Sequence, residues 1–193
     1  MAENMIVDEI KTTPASLYGG ALICSLPTPR VDVSELRQVP DNQEVFAHPY
    51  TDQSIIIELL EYQNVASGHE AARLHYQDIS QANNSIETAI LSHEVVDTSN
   101  ITMEKCIACH YLTGTQKIAK FNETVEQSNL VRVQLVLYRL QEYNTDVVVT
   151  YNDPVKISEG SSSKKEEAEK WELQQFSEVV KSIKLVDASI FNV

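Results

Sequence analysis

Basic residues are scarce in this chain: 15 lysines and arginines stand against 28 aspartates and glutamates, giving a formal net charge of −13 over 193 residues. Nucleic acid and anionic membrane surfaces are held by clustered Lys and Arg, so neither is an expected partner. A basic protein surface is the natural complement. Cysteine is sparse too. Cys24, Cys106 and Cys109 are too few, and odd in number, for a disulfide framework, which points to a reducing compartment, nucleus and cytoplasm. No apolar run approaches the ~20 residues of a membrane span, so no insertion is expected. The opening "MAENMIVDEIKTTPAS" carries early acids and no apolar block, unlike a signal peptide. Without export, the sequons at Asn83, Asn100 and Asn122 read as chance matches. H-E-x-x-H, G-x-S-x-G, the P-loop and G-x-G-x-x-G are all missing, which removes the commonest hydrolase and nucleotide-site signatures.

What is present reads as one domain with an ordinary apolar fraction and enough length for a proper core. Residues 1–16 read as a flexible tail, and residues 17–193 as a single domain. "LYGGALICSLP" suits a first strand. "VDVSELRQVPDNQ" suits a short helical turn and then a loop at Pro40-Asp41-Asn42, with "EVFAHP" a short strand after it. Thr51 has the chemistry of an N-cap, and Ile55, Ile56, Leu59 and Leu60 fall on one stripe of a helix over "SIIIELLEYQ". A second helix is expected near Gly68 to Gln77, burying Ala72, Leu74 and Tyr76 in part. The period then changes. "ETAILSHEVV" and "KCIACHYLTG" read as strands, with Gly114-Thr115 turning the chain back. "LVRVQLVLYRL" alternates so that Val131, Val133, Leu135 and Leu137 share a face, and "DVVVTYN" is an antiparallel partner ended by Pro154. A Ser/Lys/Glu-rich loop near 157–167, expected to be mobile, leads into an amphipathic helix carrying Ala168, Trp171, Phe176, Val179, Val180 and Ile183. The order of elements indicates an α+β fold, a mainly antiparallel sheet covered by helices.

The most conspicuous chemical motif is C-x-x-C-H at Cys106, Cys109 and His110, the spacing of a c-type haem attachment. Within a strand over 105–113 the two sulfurs would point to opposite faces, which excludes a shared porphyrin or zinc. All three methionines, Met1, Met5 and Met103, precede the motif, leaving no axial Met after it. A thioredoxin-like pair would need the motif to open a helix. No cofactor or metal is therefore expected, although a redox, metal or haem protein using Cys106 and Cys109 stays as an alternative. His48, His69, His75, His93 and His110 show no ligand spacing. Glu58 and Glu61, three apart on the expected helix, read on their own as a solvated face.

Six segments, taken in order, resemble the Ran guanine-nucleotide release factor family, or Mog family: "LYGGAL" (17–22), "VDVSELRQVPDNQEVF" (31–46), "DQSIIIELLEYQ" (52–63), "ARLHYQDIS" (72–80), "YRLQEYNTDVVVTYN" (138–152) and "VDASIF" (186–191). The resemblance implies a PsbP-like α/β/α sandwich, binding of the small GTPase Ran, release of its guanine nucleotide, a role in nuclear protein import and no covalent catalysis. It also implies a partner-binding acidic pair, carried over to Glu58 and Glu61. The family has Asp at the first of these positions, so Glu58 is a conservative departure. Asp41 and Glu44, in the other well-matched segment, are added as weaker candidates. Reversing the charge of both Glu58 and Glu61 is expected to abolish Ran binding and leave the fold intact. The protein is expected to be monomeric alone. A scaffold of the same fold without Ran binding remains a further reading, since fold does not fix function.

Overall fold

The computed structural model describes residues 10–120, 122–163 and 168–191. A seven-stranded antiparallel sheet forms its centre. The strands are β3 (Val31–Asp32), β4 (Gln43–Ala47), β5 (Ser54–Glu61), β6 (Glu87–Val96), β7 (Ala108–Ile118), β8 (Asn129–Leu140) and β9 (Thr145–Lys156), in spatial order β3-β4-β5-β9-β8-β7-β6. A smaller antiparallel sheet is built from β1 (Thr12–Leu17), β2 (Leu22–Pro27) and β10 (Lys184–Leu185), with β2 in the middle. Helix α1 (Gly68–Ala82) covers one face of the large sheet. Helix α2 (Leu173–Ser182) and the small sheet cover the other. This is the α+β sandwich expected, with a second sheet added to one outer layer.

The central strands are apolar on both parities because both of their faces are covered. On β8, Val131, Val133, Leu135 and Leu137 meet Ala71, Ala72 and Tyr76 of α1. This is the set that alternation assigned to one face. The other parity, Val136, Tyr138 and Leu140, joins Trp171, Phe176 and Val179 in the second core cluster. Ser67 caps α1, its hydroxyl accepting a hydrogen bond from the backbone N–H of Glu70 at 3.2 Å. Trp171 lies before α2, yet its backbone is locked by Gln53 in two hydrogen bonds of 2.8 and 3.0 Å.

Several expectations about elements need correction. "SIIIELLE" is strand β5, not a helix. Three consecutive isoleucines favour extended backbone, and a strand covered on both faces satisfies the same apolar spacing as a helical stripe. Thr51, its supposed N-cap, sits in the β4–β5 connection, its backbone N–H donating to His48 Nδ1 at 3.0 Å. Secondly, the expected tail contains most of strand β1, paired along β2; its first part, 1–9, lies outside the described residues. Thirdly, β9 continues through Pro154, where a register shift between Leu130 and Val131 absorbs the proline. The loop near 157–167 follows β9. Its described part, 157–163, is tethered: Asn129 Nδ2 donates to the hydroxyls of Ser161 and Ser163 at 2.8 and 2.7 Å, and Ser161 and Ser162 donate to Glu123. Residues 164–167 lie outside the described residues.

Gly114-Thr115 is not a turn either, because β7 runs straight through it. The glycine serves a different purpose. A Cβ there would lie 2.3 Å from Tyr76 Oη and 2.7 Å from the Ala89 carbonyl oxygen. Tyr76 thus reaches the sheet only because position 114 has no side chain, and its Oη sits 2.9 Å from the Thr115 carbonyl. We predict that Gly114→Ala lowers stability by about 1–3 kcal/mol through overpacking. Thermal denaturation should register a fall of roughly 3–10 °C; an unchanged melting temperature would contradict this account of α1 packing.

Candidate functional site

The four carboxylates singled out in the sequence gather at one corner of the molecule, around the start of β4 and the end of β5, but they do not form one cluster. Asp41 is exposed in the turn before β4. That turn is clamped to β5 by Asn42, whose carbonyl accepts from the Leu59 N–H at 2.9 Å while its Nδ2 donates to the Leu59 carbonyl at 3.2 Å. Glu58 stands opposite Gln43 on β4 and Val148 on β9, so it faces the α1 layer. Glu61, three residues on, has the other parity and faces the side of Leu59 and Ile57. Glu44 pairs with Ile57 and shares that side.

The two glutamates of the pair therefore differ in environment. Glu58 is half-buried and accepts a 2.6 Å hydrogen bond from Gln43 Nε2. Burial raises its carboxyl above the ordinary range, while the Gln43 bond and nearby His75 act in the opposite direction. Glu61 is exposed. Among the described residues no ion pair or hydrogen bond engages its carboxylate. Glu44 has a structural task, accepting from the backbone N–H of Tyr18. Asp41 and Glu61 are the members of the set most available to a partner.

Tyr18, which sequence reasoning did not single out, ties the small sheet to this corner. Its hydroxyl donates towards the Ile57 carbonyl at 2.7 Å. It belongs to "LYGGAL", and the backbone N–H groups of Val186 and Asp187, from "VDASIF", donate to the Ala21 carbonyl beside it. Segments far apart in sequence thus close on one end of the molecule, next to the β8–β9 turn, where Tyr62 N–H donates to the Asn144 carbonyl at 3.0 Å.

Beneath this end lies a buried ionic network. Asp146, fully buried on β9, accepts from Arg139 Nε at 3.2 Å and lies 2.9 Å from His75 Nε2. It also accepts from the Gln63 backbone N–H at 3.0 Å. The Arg139 guanidinium sits 3.9 Å from the centroid of the Tyr62 ring. The network lies within electrostatic reach of the Cys106 thiol, which burial holds protonated. It anchors the segment after β5 and with it the position of Glu61.

The C-x-x-C-H motif needs a revised account. Strand β7 begins at Ala108, so Cys106 precedes it and the parity argument does not apply. Cys109 is part of the same core cluster against which Cys106 packs. What opposes redox or ligand chemistry is burial, which holds both thiols protonated by raising their pKa values. Cys24 is likewise pushed up to about 12 by desolvation. Among the described residues no group of three His, Cys, Asp or Glu side chains is placed to hold a metal ion.

His110 instead joins His93 and His69 beside the start of α1. His110 Nδ1 lies 3.2 Å from His93 Nε2, and the His69 and His93 rings meet edge to face at 4.0 Å. Desolvation, then His93 and Arg139, depress the His110 pKa to about 4. A histidine held neutral in the folded state gives stability that is complete above its unfolded value near 6.5 and declines as pH falls towards 4. We predict that urea midpoints fall between pH 6.5 and 4 more steeply for the parent than for His110→Gln; parallel curves would refute this.

Comparison with known proteins follows the same lines. Residues 15–154 match the family described as Ran-interacting Mog1 protein. A zebrafish (Danio rerio) protein named Ran guanine nucleotide release factor is 47% identical over 180 residues, spanning 91% of this chain and 97% of the relative. The human (Homo sapiens) protein of that name is 38% identical over 182 residues, spanning 93% and 97%. The solved structure of the Saccharomyces cerevisiae Ran-binding protein Mog1p superposes with a TM-score of 0.71 at 25% identity, covering 95% of this chain and all of that one. With the family match, the long-range sequence identities and the architecture in agreement, the chain belongs to the Mog1 family of Ran-interacting proteins.

Proposed function

We propose that this protein binds the GTPase Ran through its acidic corner, promotes release of Ran's guanine nucleotide and supports nuclear protein import, working as a monomer in nucleus and cytoplasm. Membership of the Mog1 family carries this reading, since the match spans most of the chain. Relatives bear the names Ran guanine nucleotide release factor and, in Saccharomyces cerevisiae, nuclear import protein. Glu61 and Asp41 are the contact carboxylates in this proposal. Glu58 and Glu44 hold the β4–β5 corner in shape, and Glu58 adds a partly shielded charge behind it.

The physical basis is linkage rather than chemistry on a bond. A net charge of −13 steers a basic surface into encounter, and exposed carboxylates fix its orientation. If the complex favours a GTPase whose nucleotide site is empty or loosened, nucleotide affinity must fall by the same factor. No proton transfer or nucleophile is required, so the protein acts as a regulator of Ran rather than as an enzyme in the ordinary sense. The test is release of a fluorescent guanine nucleotide from Ran. Adding this protein should accelerate release in a saturable way. Unchanged release together with no measurable binding would overturn the proposal.

A further inference from the structure

A groove of about 560 Å³ lies beside Glu61, lined by parts of three elements. Leu59 and Glu61 come from the end of β5, Glu142 and Tyr143 from the β8–β9 turn, and Ile190 and Phe191 from the terminal 3-10 turn, Ala188–Phe191. The Tyr143 and Phe191 rings stack at 4.9 Å between centroids with 20° between planes, making a two-ring wall. Both rings are half-buried, as are Leu59 and Ile190, so a smaller apolar strip stays open within a lining that is mostly polar. Among the described residues no basic side chain lines the groove. Glu142 is already paired with Lys105 at 3.0 Å outside it. Glu61 is the carboxylate left without an intramolecular cation among the described residues.

These features specify a guest. An apolar and aromatic wall accepts a long hydrocarbon stem, and a ring face accepts a planar cation. A free carboxylate at the rim supplies the counter-charge. Arginine combines all three requirements, whereas lysine offers a strongly hydrated point charge that stacks less well. We infer that this groove seats an arginine side chain of the bound GTPase, with its guanidinium on the outward face of the Tyr143–Phe191 stack and Glu61 pairing with it. The inference rests on the Ran reading and deepens it: the acidic corner supplies orientation, and the aromatic wall supplies the anchor. Small central pockets filled by aromatic or Arg anchors dominate many protein interfaces, while rim charges mainly govern encounter.

The two contributions separate experimentally. Binding of Ran to the full chain is measured across a salt series for the parent and for Phe191→Ala, Phe191→Tyr and Glu61→Gln. Phe191→Ala should weaken affinity at least five-fold, mainly through faster dissociation, and keep the parent's salt slope. Phe191→Tyr should stay within two-fold, and Glu61→Gln should flatten the salt slope. The ring resonances of Tyr143 and Phe191 in the unmutated protein should shift on saturation with Ran. If circular dichroism shows Phe191→Ala to be misfolded, Phe191→Leu replaces it under the same threshold. A parent that binds Ran while the ring-deleted variant stays within two-fold and the resonances stay unmoved overturns the groove alone. A parent that fails to bind Ran overturns the Ran reading and the groove with it.

Discussion

Glu61→Lys should weaken Ran binding roughly thirty-fold or more at low ionic strength, because like charges brought together at an interface cost several kcal/mol. The melting temperature should stay within about 2 °C of the parent, since exposed substitutions away from structural features cost little. Glu61 is exposed and engages no intramolecular cation among the described residues, so its reversal removes nothing from the fold. Glu58→Lys should behave differently. It would place an ammonium where burial already disfavours a charge, and would strip Gln43 of its acceptor. Stability should fall, and loss of Ran binding should be partly secondary to that. The two reversals are therefore predicted to differ, with Glu61→Lys alone sparing the fold. Equilibrium binding at 50 and 300 mM salt, read beside thermal denaturation, checks both statements. Native affinity for Glu61→Lys at low salt would remove Glu61 from the interface.

Asp146→Ala should be the most destabilising of the substitutions considered, by about 3–5 kcal/mol. The carboxylate is fully buried and is the shared partner of Arg139 and His75, themselves almost completely buried. Its removal leaves a guanidinium desolvated without a counter-ion, and orphans the Gln63 N–H as well. Against a typical total stability of about 5–15 kcal/mol this is a large fraction. The melting temperature should drop by roughly 10 °C or more. Asp146→Asn, which keeps the shape and an acceptor but not the charge, should lose less. A urea titration giving under ~1 kcal/mol for Asp146→Ala would mean that Arg139 finds water or another partner.

The layered architecture was legible in the sequence because clean alternation in "LVRVQLVLYRL" and β-branched runs report directly on covered sheet faces. The strand β5 was not. A run apolar on both parities has no strand signature over eight residues, and Thr51-Asp52 supplied a convincing local helix start. The same misreading hid a feature of the candidate site. On a helix, positions 58 and 61 share a face; on a strand they part, so one glutamate looks towards α1 and the other towards the groove. Sequence spacing also misplaced the start of β7 by a few residues. That was enough to invalidate the geometric objection to Cys106 and Cys109, although their burial leads to a similar conclusion. Tyr143 and Phe191 could not be associated from sequence, being brought together only by closure of the C-terminal segment against the small sheet.

The strand order carries a consequence for synthesis of the chain. Strand β5 is held between β4 and β9, and Glu61 waits for Thr145, eighty-four residues later. At a translation rate of about 5–20 residues per second, roughly 4–17 s separate the emergence of "SIIIELLE" from the emergence of its inner neighbour. During that interval it is a β-prone apolar segment joined to a two-strand hairpin, which is too little structure to persist alone. The strand that ends in the candidate contact residue is thus a point at which a nascent chain needs shielding. Slow decoding or chaperone shortage over residues 62–145 should therefore reduce the yield of this protein without altering the stability of the molecules that fold.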